Sequence, residues 1–319
     1  MELYIEKEFL DNFYLEFDEK LASEGQRILA SVFREFGEID WFINTPIDSS
    51  ADLESLIKNN PFFAYRASYS PPIPVESIKE HFLKFSNCSQ TIIITENEEQ
   101  WFPEAESKGA LCLATSSYQE RIKSILKTCH SKVDLSIGFN NWDFFRFQES
   151  LPFNKIIIND NYILTDSINQ KIDKNLIPMV KSLMGENRTK EVPIYIFTKD
   201  LKPESPGTSS QIKDALEKKH RRLNSSFANY KLNFKVVNNN LLGGQGTLHD
   251  RVMLSNFLMV DCGKGFNLLP HTPSNSQIIV VSIFDKYTYN RLKNHIKIHQ
   301  DYLNSLKNLK NINFTIYPS

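Results

Sequence analysis

The sequence predicts an α/β protein in two parts, on three observations. Short β-rich runs alternate with stretches of helical periodicity along the 319 residues, the pattern of sheets flanked by helices. The charge is split: residues 1–115 carry 9 Lys+Arg against 21 Asp+Glu, whereas residues 116–319 carry 28 against 17. Hydrophobic residues make up 41% and charged residues 24%, the balance of a chain that can bury a core. The expectation is an acidic α/β domain over 1–115 and a basic α/β domain over 116–319.

In the first part, residues 3–5 read as a strand. Residues 19–36 place Leu21, Ile28, Leu29, Val32 and Phe33 at helical spacing, and residues 40–44 form a short strand. Three prolines within 71–74 predict a loop without regular structure. A helix over 75–85 leads to the β-branched run 91–95, a strand of the buried type. A helix near 97–107 and a strand at 110–114 follow.

The second part predicts a helix over 117–130, strands near 133–138 and 155–164, and a helix over 172–185 with Leu176, Ile177, Val180 and Leu183 inward. A strand at 192–197, a Pro-containing loop at 200–209 and a long helix over 210–226 come next. Strand 231–237, a Gly-rich loop at 238–247, a strand pair over 248–260 and a strand at 278–283 precede an amphipathic helix over 286–308. Residues 313–317 close the chain as a strand.

No apolar run approaches the roughly 18 residues that a membrane-spanning helix needs. Residues 1–6 lack the basic and apolar regions of a signal peptide. Cys88, Cys112, Cys129 and Cys262 are scattered without CxxC spacing. They fit buried thiols of a cytoplasmic protein better than a disulfide frame or a zinc site. No cofactor and no metal is expected.

The segment 246–256 carries the most chemistry. As a strand it points His249 and Arg251 to one face. A guanidinium neutralises and orients phosphate oxygens, while a neutral imidazole attacks phosphorus or carries a proton. Arg251 stands two residues after His249, Asn256 comes after four intervening residues, and Gly263 after six more, in Gly263, Lys264, Gly265.

This spacing resembles the HxKx4D motif and following GSxN-like element of the phospholipase D superfamily. Arg251 replaces the lysine, Asn256 the aspartate and Lys264 the serine. The His-Asp-Arg form is also similar to phospholipase D-like domains at the C-terminus of some MIT-domain proteins, which are associated with membrane or lipid binding. The resemblance covers residues 130–319 and implies a phospholipase D-like α/β/α sandwich. It implies His249 as nucleophile, Arg251, Lys264, Gly263 and Gly246 around the phosphate, and Asn256 as an orienting group that cannot ionise. Family members assemble one active site from two motifs. His81, His130, His220, His271, His295 and His299 lie in no such motif, so an active enzyme needs a second copy, most simply as a homodimer. The resulting expectation is a metal-independent phosphodiesterase or nuclease. The alternative is an inactive module binding nucleic acid or an anionic lipid surface, docked to a partner protein in a complex such as a bacterial defence system.

Other signals are less specific. Residues 242–247 are Gly-rich and suit a phosphate-cradling rim, but no P-loop lysine follows. Lys218, Lys219, Arg221 and Arg222 form a basic run that either grips nucleic acid or solvates a helix. His295 and His299, four apart, are expected on an exposed helix face rather than on zinc. Tyr287, Tyr289, Arg291, Lys293 and Lys297 fit an amphipathic helix. Glu6 and Glu96 follow predicted strands, a placement faintly similar to PIN-type nucleases, although the expected aspartates are absent. An interaction or regulatory role is the expectation for the acidic part.

Overall fold

The computed structural model of the protein describes residues 1–67, 70–147, 151–164, 171–185, 191–198, 209–238, 250–270, 276–307 and 316–317. The chain has an α/β fold and divides into two compact units. One comprises Met1–Thr128, Ser150–Phe153 and Phe284–Tyr289; the other comprises Cys129–Glu149, Asn154–Ile283 and Asn290–Ser319.

The first unit holds β1 (Glu2–Ile5), α1 (Lys7–Glu16), α2 (Glu24–Glu35), β2 (Asp40–Ile43), α3 (Ser50–Asn59), α4 (Pro61–Ala67), β3 (Ile73–Pro74), α5 (Ile78–Phe85), β4 (Thr91–Thr95), α6 (Phe102–Ser107), β5 (Leu111–Ala114) and α7 (Tyr118–Cys129). Its strands form a parallel sheet in the order β3-β2-β1-β4-β5. Register pairs Tyr4 with Ile93 and Ile93 with Cys112 on one face, where Phe82 and Trp101 from the α5 and α6 side cover them. The opposite face carries an aromatic core in which Phe33 meets Phe13, Trp41 and Phe62, each at 5.4 Å. Continuously apolar strands and helices on both faces are one consequence of parallel pairing.

Several elements differ from the sequence reading. Helix α2 starts at Glu24, not 19, because Ser23 caps it: its Oγ accepts from Gln26 N at 3.2 Å and Gln26 Oε1 accepts from Ser23 N at 2.9 Å. Leu21, expected inward, is therefore outside the helix and 84% exposed. Ser23→Ala should cost about 1 kcal/mol, read as a lowered urea midpoint with an unchanged slope. The proline-rich stretch at 71–74 does contain a two-residue strand. It lies at the sheet edge, where a proline's missing N–H is tolerated. Helix α7 belongs to the first unit, since Tyr118 packs on Phe9 at 5.7 Å and Phe13 at 6.2 Å. The division thus falls after residue 128, one helix later than the break in charge.

The second unit holds β6 (Ser131–Asp134), β7 (Ile156–Asn159), α8 (Ile177–Met184), β8 (Val192–Thr198), α9 (Ser209–Ser226), β9 (Leu232–Asn238), β10 (Val252–Leu254), β11 (Leu258–Cys262), β12 (Gln277–Ser282), the greater part of α10 (Lys286–Lys307), and β13 (Ile316–Tyr317). The mixed sheet runs β13-β9-β8-β7-β10-β11-β12-β6. Strands β7, β8 and β9 are parallel, and the remaining pairings are antiparallel. A wide-turn segment, Ile172–Leu176, leads into α8. Leu176, Ile177, Val180 and Leu183 are all buried there, as the periodicity predicts. Strand β7 ends at Asn159, earlier than expected, because Asp160 turns the chain by accepting from Tyr162 N.

Helices cover both faces of this sheet. Phe227 at the end of α9 stacks on Phe234 of β9 at 5.2 Å. On the other face His299 of α10 meets Phe197 of β8 edge-on at 4.6 Å. Contrary to expectation, His295 and His299 are buried, at 8% and 0% exposure. They share a helical stripe with Leu292 and Tyr302, so the imidazoles belong to the packed face. No described helix is long and apolar enough to cross a membrane. Cys112, Cys129 and Cys262 are buried, and Cys88 is half-buried.

Candidate functional site at the end of strand β7

The chain lays down β7, β8 and β9 side by side, then returns to place β10 on the other flank of β7. Strand order reverses between β7 and β10. Because β10 runs antiparallel to β7, the carboxyl end of β7 meets the start of β10 there. Asp160 follows β7 and Arg251 precedes β10, and the Asn159–Val252 register makes them neighbours on one face.

Arg251 is half-buried and held on several sides. Its Nη1 donates to Gly263 O at 2.6 Å, and its guanidinium lies 5.6 Å from the Tyr162 ring centroid. Its backbone carbonyl accepts from Cys262 N at 3.0 Å. Among the described residues Gly263 O is the guanidinium's hydrogen-bond acceptor, which leaves its other N–H groups for an oxyanion. Asp160, 1% exposed, accepts from Tyr162 N at 2.9 Å and Phe266 N at 2.7 Å. Burial pushes its carboxyl above the usual range, against those two hydrogen bonds and the Arg251 charge.

The turn after β11 is fastened to this corner. Asn175, fully buried, accepts from Leu268 N and Leu269 N and donates to Leu269 O. Asn267 Nδ2 donates to Tyr162 O at 2.6 Å. Gly265 has φ of +86°, and a Cβ there would stand 2.7 Å from Asp160 Oδ2 and 2.9 Å from Arg251 Cδ. The Cys262 thiol, donating to Gly265 O, is pushed up to about 12 by burial and the nearby Asp160 charge.

Asp250 turns away from Arg251, as strand alternation requires. Its backbone carbonyl accepts from Asn159 Nδ2, and its carboxylate lies 3.6 Å from His295 Nε2 on the α10 side. Burial lowers the His295 pKa, opposed in part by Asp250. Arg291, one turn earlier, pairs with Asp261 at 3.2 Å.

The expected site residues separate into groups. His249, Gly246 and the Gly-rich stretch at 242–247 lie outside the described residues, as does His271. Arg251 and Gly263 come together. Asn256 does not join them: it sits in the hairpin between β10 and β11, buried, with Oδ1 accepting from Asn154 N at 3.1 Å. Strand β10 separates it from Arg251, so its visible work is to hold that turn. Lys264 is exposed and lines a 620 Å³ groove with Asp134 and Asp261, and Arg251 is not among that groove's described lining residues.

The basic run on α9 is largely spent within the unit. Lys219 is buried, Arg221 pairs with Glu217 at 3.2 Å, and Arg222 pairs with Asp173 at 2.9 Å. Lys218 is the exposed member without an ion pair among the described residues. Sequence reasoning missed Asp160, Tyr162 and Gly265. A signal was present: three apolar residues of a buried strand give way to Asn159, Asp160 and Asn161, a polar strand end of the kind that faces a crevice.

In the first unit, Glu6, Asn44, Thr95 and Glu99 line a 440 Å³ cavity at the carboxyl ends of the strands. Burial raises the Glu6 pKa, opposed by a hydrogen bond from Glu96 N at 2.7 Å. Glu96 itself accepts from Thr115 Oγ1 at 2.9 Å. Among the described residues, no group of three His, Cys, Asp or Glu is placed to hold a metal ion. The chain matches no family model, no curated protein and no solved structure.

Proposed function

We propose that the second unit handles phosphodiesters as a phospholipase D-like module, acting as a metal-independent nuclease that a second copy completes around His249. The observation that carries this reading is the half-buried Arg251 guanidinium at the β7–β10 reversal, with N–H groups left for a phosphate. Asp160 and Tyr162 steady it, and the backbone of the turn after β11 accepts one of its bonds.

The chemistry assigned to each group follows from its type. His249 Nε2 or Nδ1 attacks phosphorus, forming a phosphohistidine as the ester oxygen leaves. Arg251 balances charge on the non-bridging oxygens. The second copy's equivalent imidazole gives a proton to the leaving oxygen and then takes one from the water that hydrolyses the intermediate. His295 is not assigned the acid role, because it meets Asp250 on the opposite face of β10.

The test is cleavage of single-stranded DNA, RNA and bis-p-nitrophenyl phosphate by the full chain in excess EDTA. Cleavage is expected to persist in EDTA and to disappear in His249→Ala and Arg251→Ala. Full activity of His249→Ala would remove the assignment.

A second reading, phosphate binding without turnover, draws on Asn256. No carboxylate stands in its place, and it is engaged with Asn154 N at the far end of the hairpin. This reading expects no cleavage under any condition, and oligonucleotide binding that weakens steeply with salt and is lost in Arg251→Ala. The acidic first unit would then serve as the docking part for a partner protein.

A further inference from the structure

A second cavity lies in the same unit at the other end of β7. Lys155 immediately precedes that strand, whereas Asp160 follows it, and neither Arg251 nor Asp160 is among the cavity's described lining residues. The register Ile157–Tyr195–Lys235 puts these three side chains on one sheet face. Ile296 and Leu303 of α10 close the cavity from above, and the exposed Gln300 and Asn304 stand at its mouth.

The electrostatics of this space are one-sided. Lys155 and Lys235 both line it, and no Asp or Glu is among its described lining residues. Lys235 Nζ lies 5.9 Å from the Tyr195 ring centroid, a contact that leaves the ammonium positive charge uncancelled. Lys155 is half-buried and makes no ion pair among the described residues. Burial alone lowers its pKa, with no carboxylate acting against the shift. A desolvated ammonium without a counter-charge is costly, so such groups are ordinarily paired. The remaining walls are apolar: Ile157, Ile296, Leu303 and the Tyr195 ring.

We infer that this cavity binds a small organic anion, a carboxylate or phosphate monoester carried on an apolar body. Lys155 and Lys235 take the anionic group, and the aliphatic and aromatic walls take the body. The cavity volume is 220 Å³. At ~30 Å³ per water molecule, that is room for about seven waters or an anion of about ten non-hydrogen atoms. A nucleic-acid strand does not fit such a space. The site is therefore independent of the phosphodiester reading and of Arg251.

Calorimetric titration of the full chain tests the inference, with benzoate and phenyl phosphate as anionic probes and benzyl alcohol as a neutral control. Saturable one-site binding of at least one anion is expected, without binding of the alcohol. Lys155→Met and Lys235→Met keep the aliphatic stems and should each weaken binding by roughly tenfold or more. Leu303→Trp fills the cavity without touching a charge and should abolish binding, which keeps the test decisive if a lysine variant fails to fold. Arg251→Ala should leave benzoate binding unchanged. The inference is overturned if the wild-type chain binds neither anion up to about 10 mM. It is equally overturned if both lysine variants and Leu303→Trp bind as the wild type does, or if Arg251→Ala alone removes binding.

Discussion

Gly265→Ala is expected to destabilise the second unit by about 3 kcal/mol and to displace Arg251, while Gly263→Ala, two residues away, is nearly silent. At Gly265 the backbone φ of +86° disfavours any side chain, at a cost of roughly 1–2 kcal/mol. The new methyl also arrives 2.7 Å from Asp160 Oδ2 and 2.9 Å from Arg251 Cδ. Asp160 cannot retreat cheaply, because it is buried and holds Tyr162 N and Phe266 N. Overpacking of this kind adds roughly 1–3 kcal/mol. At Gly263 a Cβ would meet nothing within 4 Å, so a change within about 0.5 kcal/mol is expected. Urea unfolding of both variants decides the matter. Equal midpoints would show that the turn after β11 is not clamped against Arg251. Any phosphate binding or cleavage that depends on Arg251 should fall in Gly265→Ala and persist in Gly263→Ala.

That contrast shows where sequence reasoning reached and where it stopped. Alternation of runs revealed the α/β class, the buried character of β4, and the inward face of α8, because each is a local periodic signal. Helix α1 escaped notice, since Phe9, Leu10 and Phe13 mark only one short buried stripe. Helices α3 and α4 were also missed, and α3 has a single buried residue, Leu56. At the candidate site, the spacing singled out Arg251 and Gly263, and the fold brings these two into hydrogen-bond contact. The same spacing associated Asn256 with them, and there it failed. A count along the chain does not register that β10 is short and reverses in a hairpin, which leaves Asn256 at the opposite end. The Asp160 partner was illegible for a different reason. It lies 91 residues before Arg251 and reaches it only through the pairing of β7 with β10.

Charge counts misled in a similar way. The excess of lysine and arginine in the second part suggested a basic surface, yet four of these residues are internally engaged. Arg222 meets Asp173, Arg221 meets Glu217, Arg291 meets Asp261, and Lys219 is buried. Among the described residues, Lys218 stays exposed on α9 without an ion pair, and Lys155 and Lys235 line a cavity that has no described carboxylate.

The histidines of α10 make the second large prediction, a loss of stability in acid. His299 is fully buried, donates from Nδ1 to His295 O at 2.7 Å, and has no hydrogen-bond partner on Nε2 among the described residues. Burial drives its pKa from 6.5 down to about 4, opposed by that bond and assisted by the charges of His295 and Lys155. Because the folded value lies below the unfolded one, the unfolded chain takes up a proton first as pH falls. The neutral imidazole therefore contributes fully above about pH 6.5, and its contribution is lost progressively between there and about pH 4. A gap of about 2.5 units at about 1.4 kcal/mol each sets a ceiling near 3.5 kcal/mol, of which about 2–3 kcal/mol is spent by pH 4.5. His295, lowered in the same direction by burial but facing Asp250, adds to the loss by a smaller amount. Comparing urea unfolding at pH 7.5 and pH 4.5 should show this drop in the wild-type chain and a drop smaller by about 2–3 kcal/mol in His299→Leu. At pH 7.5 the leucine should be tolerated, since it removes an unsatisfied buried nitrogen along with the imidazole. An unchanged pH dependence in His299→Leu would mean that His299 is protonated in the folded chain as readily as in the unfolded one. Its packing against Phe197 would then not be the desolvated contact that the 4.6 Å ring separation describes.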